Sequence, residues 1–246
     1  MLSKARIKFI KSLQLKKYRK QEQCFTVEGE KSVLEVLNSS LHVRELYATA
    51  GFIGRQKAAL ATFKGTVVEV QDKDLASAGE YASNDGALAV VTIPENELPK
   101  ISEQEFVLML DDIRDPGNLG TIIRTADWYG IKTIIASEET ADVYNAKVIQ
   151  ASMGSFTRTR VYYTNLQQFL STNRLPVYGT FLNGADAHAF NFGNGGIVVI
   201  GNEANGISND VERFVTQKIT IPRFGHAESL NAAIATAVIL DNIRRR

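Results

Sequence analysis

Three stretches of this chain place polar side chains and glycines where a strand should end, the position at which a parallel sheet binds its ligands. In "LDDIRDPGNLGTIIRTADWYG", Leu110 to Gly130, an apolar run opens into two aspartates, an Asp-Pro-Gly-Asn turn and a helix carrying Arg124. Pro116 and Gly117 mark a sharp turn, and Asn118 is placed to cap a helix that starts at Leu119. Leu119, Ile122, Ile123 and Ala126 form the apolar face of that helix. Arg124 lies about 140° from this face and Trp128 almost opposite it, taking about 100° per residue. A lone arginine is usually a surface residue, but an outward tryptophan on the same helix predicts a covering surface.

In "IVVIGNEANGIS" the apolar strand Ile197 to Ile200 runs into Gly201-Asn202-Glu203-Ala204-Asn205-Gly206. Glycines at a strand end let backbone approach a ligand closely, and Glu203 between them serves no apolar purpose. In "ITIPRFGHAESLNAAIATAVILDNIRR" a strand meets Pro222, a glycine loop, and Ser229-Leu230-Asn231 opening an alanine-rich helix, with capping by Ser229 as the plain reading. No Gly-x-x-x-x-Gly-Lys-Ser/Thr loop is present, which disfavours nucleoside triphosphate hydrolysis. No Gly-x-Gly-x-x-Gly follows the first strand of either half, which disfavours a standard dinucleotide site, and "NFGNGG" reads as a turn.

The elements that must position these loops alternate along 246 residues, with 44% hydrophobic and 22% charged content suited to a packed core. The linker "VTIPENELPKISEQEF" separates residues 1–97, a small α/β domain, from residues 98–246. The first domain opens on a basic helix, about Ser3 to Leu15, followed by strands at 25–27, 45–48, 67–70 and 87–93, with helices at 31–37, about 55–63, and a short one before the last strand. The second reads as strands at 106–110, 133–136, 160–163, 176–180, 197–200 and 218–221, with helices at 119–129, 141–151, 166–170 and about 230–244. Such alternation predicts a parallel sheet covered on both faces.

The lone Cys24 excludes an intramolecular disulfide, and His42, His188 and His226 offer no metal-ligand spacing. No apolar run has membrane-spanning length and no signal-peptide core is seen, so the expected compartment is the cytoplasm, with no membrane partner and no metal. The net charge of +1 is uneven: Lys4, Arg6, Lys8, Lys11, Lys16, Lys17, Arg19 and Lys20 stand without an acid among them, and Arg244-Arg245-Arg246 ends the chain. Basic clusters of this kind attract polyanions through counterion release, which makes nucleic acid the natural partner, against a plain solvated helix face.

The three loops, in order, resemble the three motifs of the SpoU-type (TrmH-like) RNA ribose 2′-O-methyltransferases of the SPOUT superfamily, as "DDIRDPGNLGTIIRTADWYGI", "VIGNEANGIS" and "IPRFGHAESLNAAIATAVIL". The N-terminal part, with "FTVEGEKSVLEVL", is similar to the substrate-binding domain that often precedes this catalytic domain. The resemblance implies methyl transfer from S-adenosylmethionine to a 2′-hydroxyl of structured RNA, a homodimer, and a deep C-terminal trefoil knot that topology rules alone would never predict. It places the catalytic polar positions at Asn118, Arg124, Glu203, Ser229 and Asn231. It also implies a cofactor pocket of Gly179, Thr180, Ile200, Gly201, Ile221, Leu230 and Asn231. The third motif departs from its usual form, since Ala232 and Ala233 follow Asn231 where Val-Ser is more common. The reading that results is an rRNA 2′-O-methyltransferase, because of the appended N-terminal domain. A tRNA ribose methyltransferase, an antibiotic-resistance rRNA enzyme and a non-catalytic RNA-binding protein are the alternatives.

Overall fold

The computed structural model describes residues 2–81, 84 and 86–245, so Arg246 of the terminal basic cluster lies outside them. The chain forms two compact units, one reaching to Glu95 and including Tyr144–Thr157, the other made of Asn96–Val143 and Arg158–Arg246. Tyr144–Thr157 falls inside the expected second domain yet packs with the first unit.

The first unit contains α1 (Lys4–Ser12), α2 (Lys16–Glu22), β1 (Cys24–Glu28), α3 (Glu30–Leu37), β2 (Val43–Ala48), α4 (Ala50–Arg55), α5 (Lys57–Ala61), β3 (Val67–Glu69), α6 (Asp72–Ala78) and β4 (Ala87–Thr92). Its sheet order is β1-β4-β2-β3. The sheet is mixed, not parallel as helix–strand alternation predicts, because β4 inserts antiparallel between β1 and β2 while β2 and β3 are parallel. Phe25 on β1 is fully buried, and its ring meets Tyr144 at 4.6 Å and Phe156 at 6.2 Å between centroids.

The expected basic helix ends at Ser12, a second helix, α2, carries the rest of the basic run, and Arg19 ties the turn between them. Its guanidinium donates to the carbonyls of Leu13 at 2.8 Å and Gln14 at 2.7 Å, groups left without helical partners where α1 ends. Arg19 is 2% exposed, so it is an internal tie and does not face RNA. Arg6 is likewise engaged, donating to the Tyr47 hydroxyl at 2.7 Å and pairing with Glu45. The lysines of the segment remain on the surface.

The second unit begins with β5 (Phe106–Asp111), α7 (Pro116–Trp128) and β6 (Thr133–Ala136). The chain then supplies α8 (Ala146–Ser152) to the first unit and returns as β7 (Arg160–Tyr163), α9 (Leu166–Ser171), β8 (Val177–Asp186), β9 (Gly196–Gly201), α10 (Asn209–Glu212), β10 (Gln217–Thr220) and α11 (Ala232–Arg244). The sheet order is β10-β8-β9-β5-β6-β7, and every neighbouring pair is parallel. Val107, Met109, Val177, Ile197 and Val199 join one core cluster with Leu166 and Leu170. The alternate residues Leu108, Leu110, Ile134, Val198 and Ile200 are buried as well, as two covered faces require.

Several boundaries differ from the sequence reading. Asp115, not Asn118, caps α7, its carboxylate accepting the Asn118 N–H at 2.7 Å; Pro116 therefore starts the helix, where its fixed φ suits the first turn. Asn231, not Ser229, caps α11. The helix expected at 141–151 starts at Ala146 behind the Asn145 cap, and the four-residue α10 was not anticipated. β8 continues well past Thr180, and its pairing with β10 jumps from Lys218↔Gly179 to Ile219↔Ala185. Gly184 permits this, since a Cβ there would sit 2.5 Å from the Lys218 carbonyl oxygen. Arg244 and Arg245 are also tied internally, to the Tyr129 carbonyl at 2.8 Å and to Asp241 at 2.5 Å. No helix among the described residues is long and apolar enough to cross a membrane.

Replacing Arg19 by alanine removes charged donors from two buried-end carbonyls, an expected loss of about 2 to 3 kcal/mol. Both bonds come from the one nitrogen Nη1, and lysine should restore only part of the loss, because its shorter, flexible stem does not hold an ammonium group at that point as the planar guanidinium does. Urea unfolding followed by circular dichroism measures this, and an unshifted midpoint for Arg19→Ala would show that the tie is unimportant.

Candidate active site

Parallel pairing gathers the ends of β8, β9 and β5 at one edge, because Gly179 lies beside Val199 and Asp111 beside Gly201. β10 brings Lys218 beside Gly179, so the loop that begins at Ile221 leaves from the same edge. All three glycine- or proline-marked loops therefore emerge together, where strand ends of an open α/β sheet present ligand sites.

A chain of side-chain hydrogen bonds joins the three loops. Asn231 Oδ1 accepts the N–H groups of Ala233 at 2.9 Å and Ile234 at 3.3 Å, which leaves its Nδ2 as a donor. That group donates to Asn118 Oδ1 at 2.9 Å, and Asn118 Nδ2 donates to Glu203 Oε1 at 2.6 Å. Each amide has one orientation, because the chain ends on a helix N-terminus that only donates and on a carboxylate that only accepts. Asn118, Glu203 and Asn231 are thus brought together, one from each loop.

The paired aspartates at the end of β5 build the loop that carries Glu203. Asp111 Oδ2 accepts the Ser208 N–H at 2.7 Å. Asp112, in the left-handed region at φ 62°, accepts the Asn202 amide through its carbonyl at 2.8 Å. Asn202 Oδ1 in turn accepts the N–H groups of Ala204 at 2.9 Å and Asn205 at 3.1 Å. Gly201 is obligatory here, since an added Cβ would lie 2.3 Å from Gly206 carbon and Ile207 nitrogen. Asp112 also pairs with Arg114 at 2.7 Å and holds that guanidinium's pKa above its ordinary value. Sequence reasoning noted the two aspartates but gave them no role; their position, directly at a strand end opposite a glycine loop, was the available signal.

The other expected residues lie around this cluster. Arg124 is exposed and makes no ion pair among the described residues. It stands six residues along α7 from Asn118, about 9 Å in rise and about 120° around the helix, so it is not part of the hydrogen-bonded chain. Ser229 is exposed on the loop 221–231. Thr180 Oγ1 donates to the Val199 carbonyl at 3.0 Å, fixing the end of the first stretch of β8 beside β9. Ile200 is buried, Gly201 and Ile221 are half-buried, and Leu230 is 48% exposed. Among the described residues, the backbone of 221–230 makes no hydrogen bond to other backbone groups. Such a loop offers free N–H and C=O groups beside apolar side chains, which fits a nucleoside-containing cofactor.

A six-stranded parallel sheet whose polar loops converge at its carboxyl edge is an open α/β architecture with a ligand site at its strand ends, and comparison with known proteins specifies its class. Residues 105–241 match the SpoU rRNA Methylase family, and residues 4–89 match the MRM3-like substrate binding domain. The 23S rRNA (guanosine(2553)-2′-O)-methyltransferase RlmP of Bacillus subtilis is 30% identical over 97% of this chain and 96% of its own length. A TrmH-family protein from Porphyromonas gingivalis superposes with a TM-score of 0.89 at 38% identity, covering 100% of this chain and 99% of that one. The SpoU methyltransferase AviRb of Streptomyces viridochromogenes, solved in complex with AdoMet, superposes with a TM-score of 0.87 at 26% identity over 98% and 97% of the two chains. The chain belongs to the SpoU methylase family, and its fold is that of the SPOUT methyltransferases.

Serine is as good a helix cap as asparagine but lacks an amide that donates to Asn118. Asn231→Ser should therefore leave unfolding stability within about 0.5 kcal/mol while lowering methyl transfer at least tenfold. Thermal unfolding and transfer of labelled methyl, measured on the same preparation, separate the two roles; undiminished transfer would show that the link to Asn118 is dispensable.

Proposed function

We propose that this protein transfers the methyl group of S-adenosylmethionine to a ribose 2′-hydroxyl of ribosomal RNA. The single observation that carries this reading is the Asn231–Asn118–Glu203 chain, which joins the three family motifs at one sheet edge. Ribosomal RNA is favoured because the Bacillus subtilis relative named for 23S rRNA matches nearly the whole chain, first unit included. In this reading the division of labour follows the expected domains, with residues 1–97 holding RNA and 98–246 performing transfer.

S-adenosylmethionine, when bound, supplies an electrophilic methyl group. Backbone of Ile200, Gly201, Ile221, Leu230 and Asn231 would line its pocket, with Gly179 and Thr180 at the adjoining strand end. Asn118, Glu203 and Asn231 hold the loop ends in fixed relation, and Ser229 adds a hydroxyl on the same loop. Arg124, exposed and without an ion-pair partner among the described residues, clamps the phosphate beside the acceptor ribose. A guanidinium stays protonated at neutral pH, so its part is to position and not to accept a proton. Orientation of this kind can contribute on the order of 7 kcal/mol to lowering a barrier.

The reading includes a homodimer and a C-terminal trefoil knot. Support for the dimer comes from Trp128, which is 84% exposed at the end of α7, an apolar area that association would cover. Support for the knot comes from the SPOUT likeness together with the strand order, in which β8 and β9 are laid between β5 and the last strand.

Arg124→Ala should reduce methyl transfer at least a thousandfold while cofactor affinity, read by calorimetry, changes less than threefold; equal losses in both would overturn this division of roles. With total RNA from a host lacking the gene, label should enter rRNA at an alkali-resistant linkage, and label in tRNA alone would overturn the substrate assignment. Sedimentation at micromolar concentration should show a dimer that Trp128→Glu converts to monomer; a monomeric wild type would exclude it.

A further inference from the structure

The basic segment Lys4–Lys20 holds two kinds of residue. Arg6 and Arg19 are engaged inside the first unit, with Tyr47 and Glu45 and with the carbonyls of Leu13 and Gln14. Lys4, Lys8, Lys11, Lys16, Lys17 and Lys20 are exposed. None of their ammonium groups makes a hydrogen bond or ion pair among the described residues, and Lys17 only overlies the Tyr18 ring at 5.8 Å. On α1, Lys4, Lys8 and Lys11 follow i, i+4, i+7 spacing, a stripe within about 60° of arc and away from the buried Ile10. Arg19, buried between the two helices' ends, fixes α2 and its lysines relative to that stripe. The result is a rigid array of positive charges with no acid along it.

We infer that this lysine face docks on the sugar-phosphate backbone of double-stranded RNA, holding the substrate by charge and shape without reading its sequence. The inference rests on the RNA-modifying reading above and specifies the form of RNA held. Ammonium groups are compact point charges that suit phosphates but lack the planar fork with which arginine reads base edges. Single-stranded RNA is held largely by stacking bases on aromatic side chains, and no aromatic residue of the first unit is exposed among the described residues. A-form duplexes, by contrast, are recognised by shape and by phosphate and ribose contacts. The broad basin elsewhere in the unit does not compete for polyanions, because Lys31, Arg55 and Lys73 there are balanced by Glu30, Glu69 and Asp72, with Glu30 bonded to Arg55 at 2.6 Å.

The test uses the full-length protein, a fluorescent RNA hairpin with a long stem of arbitrary sequence, and an unstructured oligouridine of equal length. Binding is measured by anisotropy across a salt series. The wild type should bind the hairpin at least tenfold more tightly than oligouridine, and changing the stem sequence should leave affinity within twofold. The triple variant Lys4→Gln, Lys8→Gln, Lys11→Gln should flatten the slope of log K against log salt by about 3, at about 0.9 per phosphate contact for a B-form duplex. The charge-matched control Lys57→Gln, Lys64→Gln, Lys73→Gln should leave that slope within 1 of wild type. Equal affinity for the two RNAs, or the same flattening in both triple variants, would overturn duplex docking by this face. Methyl transfer to rRNA is assayed alongside: an inactive wild type with the lysine effect intact would fell the proposed reaction and leave the docking face standing. Wild-type transfer with no lysine effect on hairpin binding would do the reverse.

Discussion

The hydrogen-bond chain from Asn231 through Asn118 to Glu203 is the constraint that ties the three loops of the second unit to one another. It closes gaps of 113 and 85 residues with two side-chain contacts, and such contacts form only when larger forces have already brought the partners together. Those forces are the burial of both sheet faces and the register that sets Asp111 beside Gly201. The aspartates at the end of β5 then convert strand register into loop geometry, Asp111 through the Ser208 N–H and Asp112 through Asn202. Position is thus passed from core packing to backbone, and from backbone to the carboxylate of Glu203.

The two longest helices of the unit carry the same constraint across its face. α7 and α11 meet near their starts through Asn118 and Asn231. They meet again near their ends, where Arg244 donates to the Tyr129 carbonyl and the Tyr129 hydroxyl donates to Asp241 at 3.3 Å. They therefore run parallel, and both present the positive end of the helix dipole to the loop cluster. Burial and the nearby Asp241 carboxylate push the Tyr129 hydroxyl pKa up, so the phenol keeps its proton and remains a donor. A site facing two such helix starts is suited to an anionic ligand, as RNA is.

Much of this was legible in the sequence, and the failures have local causes. Apolar runs of four or five residues located the strands of the second unit, because a strand buried on both faces has no polar alternation to obscure it. Helix starts were misplaced where two good caps stood within a few residues: Asp115 and Asn118, then Ser229 and Asn231. Composition ranks such candidates almost equally, and only the fold decides between them. Arg19 was misread for a related reason. A basic run looks uniform in sequence, and the turn between α1 and α2 that draws one member inward is tied by that same residue. The long extension of β8 was invisible because it depends on Gly184 meeting the carbonyl of Lys218, a residue 34 positions later.

The segment Tyr144–Thr157 shows that the two units are interleaved along the chain and not strung end to end. Its aromatic residues Tyr144 and Phe156 cover Phe25 of the first strand, so the N-terminal core lacks part of its wall until more than half of the polypeptide has been synthesised. Cutting at the linker would yield a first half with Phe25 laid bare and a second half trailing an unpaired aromatic arm. The linker is therefore not a clean seam: a cut or fusion there would separate Tyr144–Thr157 from the unit it completes.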